Sequence, residues 1–497
     1  MTDHLDSPNP STRTETCDVC IVGAGLAGMN ALFVASRYLD RNQKIILVDR
    51  RERVGGMWID TYPYVRLHQP HGMFTAGNIR WTLGAEPSYL AHKGEVLDHF
   101  AYCLDVIKQR VRVDEFYGYV LQSHEETDGT VHITCRSNDG QPLRIDAKRL
   151  IKANGLDVTP NEPLALSSRQ VQSVSPDYCD MRTGEIRASD TPVWIIGSGK
   201  TGMDTAHALI TACPGREVNL VAGSGTFFLS RDRCLPSGIR RWWAGTPVTG
   251  IAIGASRRFD GTNEIAVGKW FRAKYGTWLT PGTRNFILGI LSEAENATIA
   301  AGLNTVIMDH LADVTDGEQG PQLVFRRGSP KTIPPGSWIV NCTGYLLRGD
   351  PPYEPFVSEG GSVLSVNPRS ATLHLTSYIA YFMSHLMFLD KLTELPLYEL
   401  DFVELRRKSP EVLPYALFSL VSLNLGLIAD NVPSKVLTDC GLDFDRVYPL
   451  PRRLMAYARF KLTHRRDRAH MLHNLDTVRE RFDVRCGLLR SQSAQPA

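Results

Sequence analysis

The chain has almost no net charge. Lys and Arg number 55 against 53 Asp and Glu, a balance of +2 over 497 residues. No global basic field therefore argues for nucleic acid as a partner. The ten cysteines are scattered, and no paired spacing reads as a disulfide framework or a zinc site. A reducing, cytoplasmic setting is the simpler expectation. Residues 1–16 have no apolar core and no early positive cluster, so they read as a disordered tail rather than a secretory signal. The longest apolar stretch, residues 413–429, is interrupted by Pro414, Ser419, Ser422 and Asn424. It falls short of the roughly 20 residues a spanning helix needs. A buried helix is expected there, and membrane association is not. There is no Gly-x-Ser-x-Gly nucleophile turn and no ligand spacing for a metal.

Glycine, by contrast, is plentiful at 41 residues, and two segments use it in one design. Residues 17–50 read as an apolar strand, a glycine turn, a helix and a second apolar strand. Residues 192–223 repeat that order. The first fingerprint is Gly23-x-Gly25-x-x-Gly28, with Leu26 and Ala27 opening the helix. Gly23 permits the tight turn, Gly25 lets the backbone approach a pyrophosphate, and Gly28 allows close packing of helix on strand. The helix N-terminus receives the negative charge. Asp49, followed by Arg50, stands about 20 residues on, where an acid accepts from a ribose diol.

The second fingerprint is Gly197-x-Gly199-x-x-Gly202, with Ser198, Lys200 and Thr201 in its loop. The next strand ends in Leu220-Val221-Ala222-Gly223, with no carboxylate to repel a 2′-phosphate. With Lys200, Arg231 and Arg233 nearby, that favours NADP over NAD. Two such units imply two dinucleotides, FAD near the N-terminus and NADPH to reduce it. The expected fold is α/β with two Rossmann-like dinucleotide-binding domains. An NADP domain at 189–334 is inserted into an FAD domain at 17–188 and 335–490, the last part ending in a helical C-terminal region.

The residues after Asp49 bring in a family. Val54-Gly55-Gly56-Met57-Trp58 resembles the G-G-x-W element of the class B flavoprotein monooxygenases, which include flavin-containing, N-hydroxylating and Baeyer–Villiger enzymes. Ala153-Asn154-Gly155 is similar to that family's first A-T-G linker, and Asn341-Cys342-Thr343-Gly344-Tyr345 to its second. Arg66-Leu67-His68-Gln69-Pro70 resembles a segment that there reads R-x-N-x-P, with His68 in place of an asparagine that faces the flavin and the nicotinamide. Val120 sits where the family's backbone contact to adenine would fall. The resemblance covers about residues 17–350. It implies an NADPH- and O2-dependent FAD monooxygenase acting on nitrogen, sulfur or a ketone of a small organic substrate through a C4a-(hydro)peroxyflavin. His68 is then the one catalytic candidate, as a hydrogen-bond donor near the flavin's reactive edge.

The chain also departs from that family. The linker fingerprint F-x-G-x-x-x-H-x-x-x-(W/Y/F) is best placed at Ser168, Gln170, Val174 and Tyr178, where only the final aromatic survives. The departure motivates a second reading, an NADPH-dependent flavin oxidoreductase or oxidase that releases peroxide without oxygenating a substrate. Intact glycines in both loops speak against a third, a non-catalytic redox sensor. Cys17-x-x-Cys20 lies on the first strand, with Cys20 facing the core, so disulfide chemistry is not expected. Asp204 and His207 share a helix face and read as solvated positions. Trp242, Trp243, Trp270, Phe271 and Trp278, interleaved with Arg240, Arg241 and Arg272, either line an apolar substrate cavity or form core for added helices.

Overall fold

The computed structural model describes residues 13–155, 158–344 and 349–489. The first apolar run forms strand β1 (Arg13–Val22), followed by helix α1 (Leu26–Tyr38) and strand β2 (Lys44–Asp49). Val19 to Val22 and Ile45 to Val48 are buried, as befits parallel strands covered on both faces. Strands β3 (Arg112–Tyr117), β4 (Tyr119–Thr127), β5 (Thr130–Ser137) and β6 (Pro142–Lys152) complete the sheet in the order β3-β2-β1-β6-β5-β4. The strands from β3 to β6 in that order are parallel, whereas β6, β5 and β4 form an antiparallel meander. Asp128 and Gly129 turn between β4 and β5 at φ +49° and +74°, the left-handed pair a two-residue hairpin requires.

Residues 13–16 correct the expected tail. Arg13 to Thr16 pair in register with Leu143 to Asp146 of β6. Polar side chains hid this, because backbone pairing beside a long neighbour needs no apolar residue. Residues 1–12 lie outside the described residues.

A second parallel sheet is inserted between β6 and Val363–Ser365, a strand that returns to pair with β6. It comprises β7 (Gln172–Val174), β8 (Val193–Ile196), β9 (Val218–Val221), β10 (Thr305–Ile307) and β11 (Trp338–Asn341), ordered β10-β9-β8-β11-β7. Helix α2 (Lys200–Ala212) crosses from β8 to β9. Both β7 and β11 fall outside the expected span of 189–334, since neither precedes a glycine fingerprint.

The two units repeat each other in detail. Gly23 has φ +106°, and a Cβ there would lie 2.5 Å from the Ala153 carbonyl oxygen at the end of β6. Gly197 has φ +111°, and its Cβ would lie 2.9 Å from the Cys342 carbonyl oxygen just after β11. Each glycine turn thus rests against the neighbouring strand's exit, and only glycine combines that φ with that clearance.

The C-terminal region is helical. Tyr38 at the end of α1 stacks on Phe388 at 5.0 Å, and its hydroxyl bonds His385 Nδ1 at 2.8 Å. This fixes the helix Thr376–Phe388 over the first sheet. Helix α3 (Leu413–Asn431) is long and apolar enough to cross a membrane, but 78% of its apolar window is buried inside the protein. It packs with helix α4 (Leu450–Phe482) around the helix Val248–Ser256. Asn474 of α4 donates to the Ser256 carbonyl at 3.0 Å and to Ser419 of α3 at 3.1 Å.

Ile251, Phe259 and Phe271 share one buried core with the first sheet and these helices, apart from the core of β8, β9 and α2. The stretch around residues 251–275, expected within the 189–334 domain, is therefore part of the opposite wall, whereas Leu291 and Ile299 join the core of β8, β9 and α2 and Thr305–Ile307 pairs with β9. Phe271 is fully buried among Phe286, Tyr415 and Phe418, a contribution of about 1.5–3 kcal/mol for one ring.

Candidate functional site

A cavity of about 1120 Å³ opens over the C-terminal ends of the first sheet's parallel strands and extends to the first turn of α2. It exceeds the ~300–1,000 Å³ of ordinary small-molecule pockets. This is where open α/β sheets bind their ligands. From the first unit, Gly23, Gly25, Leu26, Ala27, Asp49, Arg50, Gly56, Met57, Trp58, His68, Val120, Ala153, Asn154 and Gly155 line it. From the second unit, Lys200 and Thr201 at the N-terminus of α2 reach it. Gly28, Gly197, Ser198, Gly199 and Gly202 sit behind the lining and shape the two turns. Thr343 and Gly344 are off the cavity, with Thr343 beside Gly197. Tyr345 lies outside the described residues.

The residues present fit a flavin dinucleotide. A Cβ on Gly25 would come within 3.3 Å of the Gly56 Cα, and one on Gly56 within 2.6 Å of the Gly25 Cα. Two bare backbones thus face each other at the cavity wall, a cradle that side chains would fill. Asp49 is buried, and its carboxylate accepts from the Ala24 amide at 2.6 Å and the Arg51 amide at 2.8 Å. Two polar atoms on the lining, Gln69 Oε1 and His374 Nε2, are buried without a hydrogen-bond partner among the described residues. Orphaned atoms of this kind cost free energy unless something binds them, and they suit a ligand with both donors and acceptors.

His68 lies between the units. Its carbonyl accepts from Arg231 Nε at 2.9 Å. Burial first, then the charges of Lys200 and Arg231, push its imidazole down to about 3. It is therefore neutral at any physiological pH, able to donate one hydrogen bond but not to supply a charge.

Arg231 and Arg233 do not behave as a free phosphate site. Arg231 Nη1 pairs with Glu295 at 3.0 Å, and Arg233 Nε with Glu293 at 2.8 Å. Both carboxylates come from the first turn of the helix Glu293–Gly302, about 60 residues on, beyond any local spacing rule. The expected 2′-phosphate arginines are thus internally neutralised.

Asp204 corrects a second expectation. It lines the cavity, accepts from the Tyr62 hydroxyl at 2.9 Å and pairs with Lys200. Tyr62, Gln69 and His374 also line the cavity without a sequence signal that assigns them to it. Only Gln69 stood inside a recognised motif, and nothing local marks the others.

None of Trp242, Trp243, Trp270, Phe271 and Trp278 lines the cavity. Aliphatic residues and Phe418 and Phe460 form its apolar wall instead, from Val248–Ser256, α3 and α4. All ten cysteines are free. Burial pushes Cys17 up to about 12 and Cys20 further still. Cys440 alone lines the cavity, its thiol pushed up to about 12 by burial. No thiol pair faces the site.

Two glycine-turn units thus share one cavity. Residues 17–244 match the family model described as pyridine nucleotide-disulphide oxidoreductase. An uncharacterized protein of Mycobacterium tuberculosis is 27% identical over 275 residues, covering 50% of this chain and 47% of that protein. Monooxygenase ptmN of Penicillium ochrochloron is 25% identical over 287 residues, covering 53% of this chain and 46% of its own. The aligned part spans about half the length of these curated relatives. A flavin-containing monooxygenase from Stenotrophomonas maltophilia aligns over 76% of this chain and 99% of its own, at 13% identity and a TM-score of 0.47.

Proposed function

We propose that this chain is an FAD- and NADPH-dependent monooxygenase that inserts one oxygen atom from O2 into a small apolar substrate at nitrogen, sulfur or a ketone. One observation carries the reading. A single cavity joins the flavin-type glycine cradle, the N-terminus of α2 and an apolar wall, with no thiol pair beside it. Bound FAD would take a hydride from NADPH and activate oxygen. The chain's own work is placement and exclusion. The N-termini of α1 and α2 meet phosphate charge, Asp49 holds a ribose, and His68 donates a neutral hydrogen bond. The aliphatic wall keeps water from the reacting atoms. The choice of NADPH over NADH rests on the absence of a carboxylate at residues 222–225, not on Arg231 or Arg233.

The test is to reconstitute the chain with FAD and follow NADPH, O2 and peroxide with amines, thioethers and ketones. Product carrying an atom of isotope-labelled O2 supports the proposal. Conversion of all NADPH to peroxide with every substrate favours the oxidase reading instead. One observation speaks for that alternative. The linker's surviving aromatic, Tyr178, is 60% exposed and donates to Glu162 at 2.6 Å, away from the cavity.

A further inference from the structure

Two stretches of this nearly neutral chain contain no carboxylate at all. They are residues 233–259 and residues 446–466, and they hold twelve Lys and Arg between them; six of these pair with carboxylates outside the stretches, while Arg240, Arg241, Arg258, Arg446, Arg452 and Arg459 have no ion pair among the described residues. The structure joins them. The Arg452 guanidinium on α4 donates to the carbonyls of Arg241, Ala244 and Gly245 at 2.6–2.9 Å. Outward from this junction stand Ile239, Trp242 and Trp243 on one stretch and Met455 and Leu462 on the other, 53–83% exposed. Among the described residues, every large apolar side chain more than 60% exposed lies on these two stretches. Met455 and Leu462 are seven residues apart and share a helix face, which Arg459 and Arg466 flank. Leu450, Leu454 and Tyr457 on the same helix line the cavity, so the patch forms part of its rim.

We propose that this face docks on the surface of an anionic lipid bilayer. A helix lying flat, apolar on one side and basic at its flank, is the form that settles at the headgroup boundary. Adjacent tryptophans prefer that depth, with apolar ring and polar N–H each satisfied. Charge decides against a second copy of the chain. A two-fold contact would set like against like, basic groups against basic groups with no carboxylate within either stretch to pair them. Anionic headgroups supply the counter-charge for the cations left without an ion pair, Arg240, Arg241 and Arg459 among them. This revises the expectation of no membrane partner, because a balanced total concealed a local excess. Helix α3 remains a core helix, and the contact is with the surface only. Where the monooxygenase reading holds, and this clause rests on it, apolar substrates reach the cavity from the lipid.

The test is flotation of the full chain with vesicles of phosphatidylcholine containing about one third phosphatidylglycerol, against phosphatidylcholine alone. The wild type floats with the anionic vesicles and is released by salt. The double variant R240Q/R459Q binds about fivefold more weakly per arginine removed. The variant W243S/M455S, which touches neither cavity nor core, no longer floats yet keeps the wild-type melting temperature and NADPH oxidation. Three results overturn the proposal: a wild type that stays in solution, variants that float as it does, or a wild-type dimer that W243S/M455S converts to monomer. If all NADPH ends as peroxide, the monooxygenase reading fails while flotation is untouched.

Discussion

Replacing Arg231 with Met tests whether the two units are tied at His68. The Arg231 side chain is 14% exposed and that of Glu295 26%. Burial alone would raise the Glu295 carboxyl, yet Arg231, then Lys200 and the bonds from Ser292, hold it at about 2 rather than 4.5. A depression of that size is about 3 kcal/mol of stability at neutral pH. Arg231 is the leading contributor, so its loss costs about 2 kcal/mol, and the lost bond to the His68 carbonyl about 1 more. The folded pKa lies below the unfolded one. The stabilisation is therefore complete above about 4.5 and disappears as pH falls through about 2. Urea unfolding should show the variant less stable by about 2–3 kcal/mol at pH 7, with the gap narrowing toward pH 3. A loss under about 0.5 kcal/mol at pH 7, or an equal loss at both pH values, would refute the reasoning.

Three further expectations follow. With its imidazole at about 3, His68 contributes no limb to the rate of NADPH oxidation between pH 5 and 9; a limb near 6.5 that vanishes in H68N contradicts this. Gly56→Ala places a Cβ 2.6 Å from the Gly25 Cα at φ +55°, so about 1–3 kcal/mol of strain falls on the cradle. The purified variant should lose most of its flavin absorbance relative to protein, and a full complement counts against the assignment. The double variant C17S/C20S should oxidise NADPH within about twofold of wild type, since a buried thiol with a raised pKa is inert; a tenfold loss would restore disulfide chemistry as a reading.

The elements legible in the sequence are those whose signal is local. Strand, glycine turn and helix recur over some thirty residues, and each turn's glycines answer to their own φ and to one nearby carbonyl. Gly23 and Gly197 were therefore readable, as were Ala153 and Cys342 beside them. What escaped depends on partners far along the chain. Arg231 reads as a phosphate ligand until Glu295 takes it. Asp204 reads as solvated until Tyr62, 142 residues earlier, donates to it. The aromatic extension reads equally as cavity lining or as core because composition does not say which face of a helix meets which neighbour. Phe271 went to the core and Trp243 to the outside.

The paired tyrosines at the seam bear on how freely the molecule can breathe. Tyr62 and Tyr64 are 4% and 7% exposed, with ring centroids 4.8 Å apart. Their hydroxyls reach Asp204 and Thr205 on α2, the latter at 2.8 Å. Swinging the second unit away from the first means withdrawing two rings and breaking two hydrogen bonds. That is at least about 4 kcal/mol, so a gaping form is populated less than roughly once in a thousand molecules. On the proposed function, spent nicotinamide would therefore leave through the mouth of a closed molecule. Turnover should slow with solvent viscosity far less than in enzymes whose halves rotate apart to release product.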